Sequence, residues 1–198
     1  MLGSVIVLNG PSSAGKTTLA TALQRRLATD GECWFVYAMD DYFAKVPSDW
    51  VTAGTHVGAR AEDGVVLEIV DGSFRMRLGP IGRRVLVAWR GAVASAVRAG
   101  LNVIADDVVL TDDDWRGWQT ELAGLDAHWV RVQIDLDLLE AREQARPDRM
   151  PGQARSQYHD AYRHPSYDAV VDTGVLDPDA AAAAVLEGWR SRQPRPGV

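Results

Sequence analysis

The 198-residue chain is predicted to be an α/β protein with a five-stranded parallel sheet covered by helices on both faces. Three observations carry this expectation. Short apolar runs alternate with stretches of helical periodicity, as in repeated strand–helix–strand units. The runs are continuous rather than alternating, as befits strands buried on both faces. With 46% hydrophobic and 24% charged residues, the chain has the material for one sizeable core.

The elements follow in order. Ser4 to Asn9 reads as a fully buried strand, and Lys16 to Leu27 as a helix with Leu19, Ala20, Leu23 and Leu27 on one face. Cys33 to Ala38 is the second strand. Residues 47–90 break the pattern and are predicted to be an inserted substrate-binding excursion. Within it, Val65–Val70 and Phe74–Leu78 alternate around Asp71-Gly72, a hairpin signal. Val85 to Ala99 is helical and closes at Gly100. Leu101 to Ala105 is the third core strand, ending in Asp106-Asp107. Thr111 with Asp114 three residues on resembles a capping box and starts a helix to about Leu122. His128–Ile134 is the fourth strand, Leu138–Ala145 a helix, Gln153–Tyr162 another, and Ala169–Asp172 a short fifth strand. Asp177-Pro178, an N-cap followed by proline at the first helical position, opens a last helix to about Trp189. Residues 1–189 thus form one domain, and 190–198, with two prolines and three arginines, a flexible tail.

Charge and cysteine usage exclude several classes. Against 27 Asp+Glu stand 21 Lys+Arg, a net charge of −6, so no nucleic-acid partner is expected. Cys33 is the only cysteine, which rules out an intrachain disulfide and suits a reducing compartment. Cys33 is expected to be a small buried residue. No apolar run reaches the length of a membrane span (about 18 residues), and no signal-peptide pattern opens the chain. A cytoplasmic protein with no membrane partner is the expectation.

Only two of the 21 basic residues are lysines, Lys16 and Lys45. Lys16 lies in Gly10-Pro11-Ser12-Ser13-Ala14-Gly15-Lys16-Thr17, which matches the phosphate-loop pattern G-x-x-x-x-G-K-[ST] between a buried strand and a helix. Glycines let successive N–H groups turn inward onto phosphate oxygens. The helix that follows adds its positive end. Lys16 supplies a compact charge to the β- and γ-phosphates, and the Thr17 hydroxyl is a Mg²⁺ ligand. Gly10 to Thr18 are therefore the candidate nucleotide-binding residues, and ATP with Mg²⁺ the expected cofactors. The motif in this setting predicts a P-loop nucleotide-binding fold and by itself implies neither hydrolysis nor transfer.

Two carboxylate pairs end core strands. Either Asp106 or Asp107 could hold Mg²⁺ beside Thr17; strand alternation sends them to opposite faces, and Asp106 is favoured. Asp40 and Asp41 directly follow the second strand, where a carboxylate can accept the proton of an attacking hydroxyl, or cap a helix from Tyr42 onward. Farther on, Arg142, Arg146 and Arg149 recur at helical spacing in a segment broken by Pro147 and Pro151-Gly152. Residues 142–153 are predicted to be an arginine-bearing lid that stabilises charge on a phosphoryl group in flight. Trp50 and Trp89 flank the excursion and are candidates for lining an apolar pocket. Trp115, Trp118 and Trp129 read as packing residues, and His159 and His164 as surface residues.

Several of these stretches together resemble the chloramphenicol phosphotransferases, P-loop kinases that phosphorylate an antibiotic hydroxyl with ATP. They are Leu8 to Thr17, Met39-Asp40 with Pro47, Gly79-Pro80 through Ala88-Trp89, Ile104 to Val108, Glu140 to Arg149 with Gly152, and Tyr167-Asp168 with Val171 to Thr173. The resemblance runs from about residue 4 to residue 189. It implies a P-loop kinase fold in which Asp40 is the catalytic base, Lys16 the phosphate-binding lysine, and Arg146 and Arg149 lid arginines. Between Pro47 and Gly79 there is little resemblance. The expected function is ATP- and Mg²⁺-dependent transfer of the γ-phosphoryl group to a hydroxyl of a small molecule, an antibiotic first. Alternatives are a zeta-toxin-like kinase for a nucleoside, sugar or nucleotide-sugar, and a non-catalytic ATP-binding regulatory module.

Overall fold

The computed structural model describes residues 1–146, 149–164 and 166–192. Five parallel strands form its main sheet in the order β2-β6-β1-β7-β8. These are β1 (Ser4–Asn9), β2 (Trp34–Ala38), β6 (Asn102–Asp107), β7 (Asp126–Gln133) and β8 (Ala169–Asp172). A second sheet, in the order β3-β4-β5, holds β3 (Val51–Ala53), β4 (Val65–Val70) and β5 (Ser73–Leu78). The expected parallel α/β architecture is thus the observed one.

Strand pleat divides the core in two. Ile6, Leu8 and Ile104 point to the face covered by α1 (Lys16–Thr29) and α7 (Pro178–Ser191), where they meet Leu19, Leu23, Leu27, Val185 and Leu186. Val5, Val7, Val103 and Ala105 point to the opposite face, under α3 (Pro80–Arg98) and α4 (Asp112–Glu121). Val5 to Leu8 are wholly buried, which explains why their sequence shows no polar alternation.

Local chemistry accounts for the element ends. The Thr111 hydroxyl accepts from the Asp114 amide at 3.1 Å and donates to the Asp114 carboxylate at 2.6 Å, closing a reciprocal cap on α4. The Asp177 carboxylate accepts from Ala180 N at 2.8 Å, with Pro178 at the first helical position of α7. Asp71 and Gly72 both take positive φ, 51° and 75°, as the two-residue turn of a β4–β5 hairpin requires. The short helix α2 (Met39–Phe43) follows β2 without a side-chain cap, its N-cap being Ala38. Asp40 and Asp41 sit in its first turn, where their charge faces the helix's positive end.

Several expectations are corrected. Helix α3 starts at Pro80 rather than Val85 and runs unbroken through residue 90, so the proposed excursion boundary cuts a continuous helix. Trp89 does not line a pocket: it is wholly buried and meets Trp118 edge-on, with centroids 5.0 Å apart. Trp50 lies under the Arg60 guanidinium, 5.4 Å from its ring centre, away from the cavity described below. Cys33 is exposed because β2 begins only at Trp34. His164 is buried, stacked on Trp115 at 4.8 Å, and burial holds its pKa below the usual imidazole value. Helix α7 continues to Ser191, so the first two residues of the proposed tail are helical; residues 193–198 lie outside the described residues.

Substituting Trp89→Ala is expected to lower stability by about 3–5 kcal/mol, the usual cost of emptying an aromatic site in a core. Urea unfolding measures this. Trp89→Phe should retain most of the stability, with acceptor recognition unchanged.

Candidate active site

The turn between β1 and α1 is built by close approach. A side chain on Gly10 would put its Cβ 2.5 Å from the Val132 carbonyl oxygen, so only glycine fits against β7. Gly15 takes φ +89° as the N-cap of α1, and Ser13, with φ +64°, takes the left-handed conformation that a non-glycine residue seldom adopts. Together these curl residues 10–16 around a concave face. The Ser12 and Ser13 hydroxyl oxygens are buried and have no hydrogen-bond partner among the described residues. Uncompensated buried hydroxyls cost free energy unless a ligand satisfies them, and a phosphate's oxygens suit that place.

Two charged groups meet at the helix end of the loop. Thr17 Oγ1 donates to Asp106 Oδ2 at 2.7 Å, and Lys16 Nζ lies 3.8 Å from Asp106 Oδ1. Lys16 Nζ also donates to the Pro11 carbonyl at 3.0 Å, folded over the loop. Asp106 and Lys16 are both nearly buried. The neighbouring carboxylate takes no part, for β6 sends Asp107 to the other face. There it accepts from Trp118 Nε1 at 2.6 Å and from Val108 N at 2.7 Å. Burial pushes Asp107 up to about 6, against the opposing pull of the Trp118 hydrogen bond and the Arg90 charge.

Loop and carboxylates line a cavity of about 1460 Å³. Ligand sites usually occupy about 300–1,000 Å³, so this one has room for two ligands end to end. Its polar end holds Ser12, Ser13, Lys16, Thr17, Thr18 and Asp106. Asp40, at the carboxyl end of β2, and Arg146 and Arg149, beyond α5 (Leu136–Gln144), occupy the middle. Arg149 Nη2 donates to Asp40 Oδ2 at 3.0 Å, so the arginine segment reaches across to the strand-2 carboxylate.

The far end is apolar, and the small sheet makes it so. Val51, Val65 and Leu78 are register partners across β3, β4 and β5, and Ala53, Leu67 and Met76 form the next row on the same face. All six line the cavity. On the reverse face Glu68 pairs with Arg77 at 3.2 Å, which explains the alternation seen in the sequence.

The site meets the family comparison here. The family described as "Chloramphenicol phosphotransferase-like protein" matches residues 3–190. The chain belongs to this family. A Mycobacterium tuberculosis protein (strain ATCC 25618 / H37Rv) named "Putative O-phosphotransferase Rv2636" is 31% identical over 200 residues, covering 96% of this chain and 83% of that protein. The fold is shared with the Mycobacterium tuberculosis APS kinase CysC in complex with AMPPNP and APS, with a TM-score of 0.68, 17% identity, and coverage of 96% of this chain and 99% of that one. A sugar kinase from Janibacter sp. HTCC2649 gives a TM-score of 0.65 at 16% identity, covering 97% of this chain and 96% of that one. This family member is a P-loop phosphotransferase acting on a small molecule, an ATP-dependent kinase. No helix among the described residues is long and apolar enough to cross a membrane.

Of the residues singled out from sequence, Asp40, Lys16, Thr17, Thr18, Asp106, Arg146 and Arg149 share the one cavity, as do Ser12, Ser13 and Gly15. Gly10, Pro11 and Ala14 are buried behind its wall. Arg142 lines the same cavity as the other two arginines but is bonded to the back of the loop. Its Nη2 donates to the Thr173 carbonyl at 2.7 Å, and the Thr173 hydroxyl donates to Ala14 O at 2.7 Å, bracing the back of the loop. Helix α5 ends at Gln144, so Arg142 is helical while Arg146 and Arg149 lie beyond the helix, within the segment expected to be broken. Pro147, within that segment, lies outside the described residues.

Sequence reasoning missed a second layer on α6 (Gln153–Tyr162). Glu143, buried at the end of α5, accepts from Gly152 N at 2.8 Å and Ala154 N at 2.6 Å, capping α6 from a distance. Gln157, buried on α6, accepts from Ser12 N at 2.8 Å. The Gln153/Gln157 spacing of four was the one signal available, and a polar pair on a helix does not distinguish a buried face from a solvated one.

Glu143→Ala leaves the buried Ala154 N–H and the half-buried Gly152 N–H without their acceptor and should cost about 1–3 kcal/mol. The loss should be read locally, as faster hydrogen exchange of the α6 amides than of those in α1.

Proposed function

We propose that the protein transfers the γ-phosphoryl group of ATP, with Mg²⁺, to a hydroxyl of an apolar-bodied small molecule, an antibiotic of the chloramphenicol kind being the first choice. Resistance by inactivation in the cytoplasm would be the consequence. The observation that carries this reading is one cavity running from a phosphate loop, past Asp40, to a wall of six apolar side chains.

The donor set fits Mg²⁺. Thr17 and Asp106 offer hard oxygen atoms 2.7 Å apart. Mg²⁺ commonly takes one or two protein ligands and completes its shell with phosphate and water, which two oxygen donors suit. When bound there, the ion would neutralise charge on the terminal phosphates.

The chain's own residues divide the remaining work. Inward N–H groups and Lys16 hold the triphosphate. Asp40 accepts the proton of the acceptor hydroxyl as that oxygen bonds to the γ-phosphorus. The bond from the γ-phosphorus to the bridging oxygen then breaks, and ADP leaves. Arg149, within reach of Asp40, and Arg146 place positive charge over the point where base, hydroxyl and phosphoryl group meet. In this reading residues 142–153 act as the lid and residues 47–90 as the acceptor module of a single domain spanning 1–189. The net charge of −6 favours a small molecule over nucleic acid as the acceptor.

Asp40→Ala is expected to leave ATP affinity nearly unchanged while transfer falls about 100-fold or more, the scale of a lost general base. A screen of hydroxylated antibiotics, nucleosides and sugars, read as acceptor-dependent ADP release, tests the substrate. Turnover confined to nucleosides, sugars or nucleotide-sugars would replace the antibiotic reading. Tight ATP binding with no acceptor-dependent release would mark a regulatory module.

A further inference from the structure

Helix α6 contacts the phosphate loop through a buried glutamine whose role the reaction outlined above does not specify. Gln157 is 5% exposed, and its Oε1 accepts from the Ser12 amide at 2.8 Å. A backbone N–H needs an acceptor, so the amide oxygen faces the loop and the Nε2 group takes the other fork. Gln157 also lines the cavity, beside Ser12, Ser13 and Gln153.

The contact lies at a particular end of the loop. Lys16 Nζ is 3.0 Å from the Pro11 carbonyl, and a phosphate-loop lysine serves the β- and γ-phosphates. The Pro11–Ser12 peptide therefore marks the terminal-phosphate end. The other end of the loop is braced separately at the Ala14 carbonyl, through Thr173 and Arg142. The Ser12 and Ser13 hydroxyls, buried and without partners among the described residues, lie at the same terminal-phosphate end.

Helix α6 is itself held firmly. Tyr158 and Tyr162 donate to the Ile134 and Val132 carbonyls at 3.1 and 2.9 Å, fixing α6 to the end of β7. Asn9 Nδ2 donates to the Ala161 carbonyl at 2.9 Å, fixing it to the end of β1. Glu143 caps its first turn from α5. Gln157 is thus a rigid prop between the segment carrying Arg149 and the front of the loop.

We propose that Gln157 is a positioning residue that sets the terminal-phosphate end of the loop, so that the protein distinguishes a triphosphate from a diphosphate. The proposal rests on the phosphotransferase reading. Gln157 occupies the Ser12 N–H, holds the Ser12–Ser13 turn open toward the cavity, and offers its Nε2 donor on that side.

The test compares ATP and ADP binding by calorimetry, with Mg²⁺ present, in the full chain. Gln157→Met keeps the volume and removes the acceptor and donor. It is expected to weaken ATP about tenfold with ADP affinity changed less than twofold. Gln157→Glu keeps an acceptor for Ser12 but adds a negative charge, and should also weaken ATP more than ADP. It decides the matter if the methionine variant does not fold. Equal weakening of both nucleotides would reduce Gln157 to a structural prop, and no change in either would remove it from the site; both overturn the proposal. A wild-type protein that prefers ATP and phosphorylates no acceptor would sink the transferase reading while leaving the Gln157 comparison decisive. One that binds neither nucleotide would overturn both.

Discussion

The catalytic end depends on how sharply the chain turns between Asn9 and Lys16. The turn is possible because Gly10 lies against the Val132 carbonyl and because Ser13 and Gly15 take positive φ. Strain of this kind persists only where the surroundings over-determine it. Here they do. Asn9 bonds α6 and Tyr167 on one side and accepts from Val109 N on the other, Gln157 takes the Ser12 amide, and Thr173 takes the Ala14 carbonyl. The loop is held at each end by elements far away in sequence.

From that turn the roles of the strand ends follow. In a parallel sheet every strand points its carboxyl end the same way, so residues after β1, β2 and β6 converge on one edge. Asp40 and Asp106 arrive there from segments 66 residues apart in sequence. Pleat then separates Asp106 from Asp107. One faces Thr17, and the other is buried against Trp118, where loss of hydration pushes its pKa upward. Two adjacent identical residues thus acquire unlike environments from a two-residue period alone.

The second sheet gives the site its chemical asymmetry. Its apolar face continues the cavity beyond Asp40, while its reverse carries charged pairs such as Glu68 with Arg77. A phosphoryl donor end that is polar and an acceptor end that is apolar suit a reaction between two unlike molecules. Arg149, bonded to Asp40, lies on the boundary between the two ends.

By itself the sequence determined the five core strands, the local caps at Thr111 and Asp177, the hairpin and the phosphate loop, but not β3. Each of these is set by interactions within a few residues: continuous apolar runs, Thr111 with Asp114, Asp71-Gly72, and glycine at fixed offsets from Lys16. It also placed Asp40 and the Asp106/Asp107 pair at strand ends, leaving the choice within the pair open in principle. The tertiary structure turned Asp106 to Thr17 and Asp107 to Trp118. It withdrew Trp50 and Trp89 from the acceptor wall, exposed Cys33, and buried His164 against Trp115. It also tied Arg142 to Thr173 behind the loop, and brought Gln157 to the loop and Glu143 to the start of α6. Those outcomes turn on contacts spanning many residues, such as Gln157 with Ser12 across 145 positions. Burial and partner choice at that range depend on how whole elements pack, which no local period or spacing encodes.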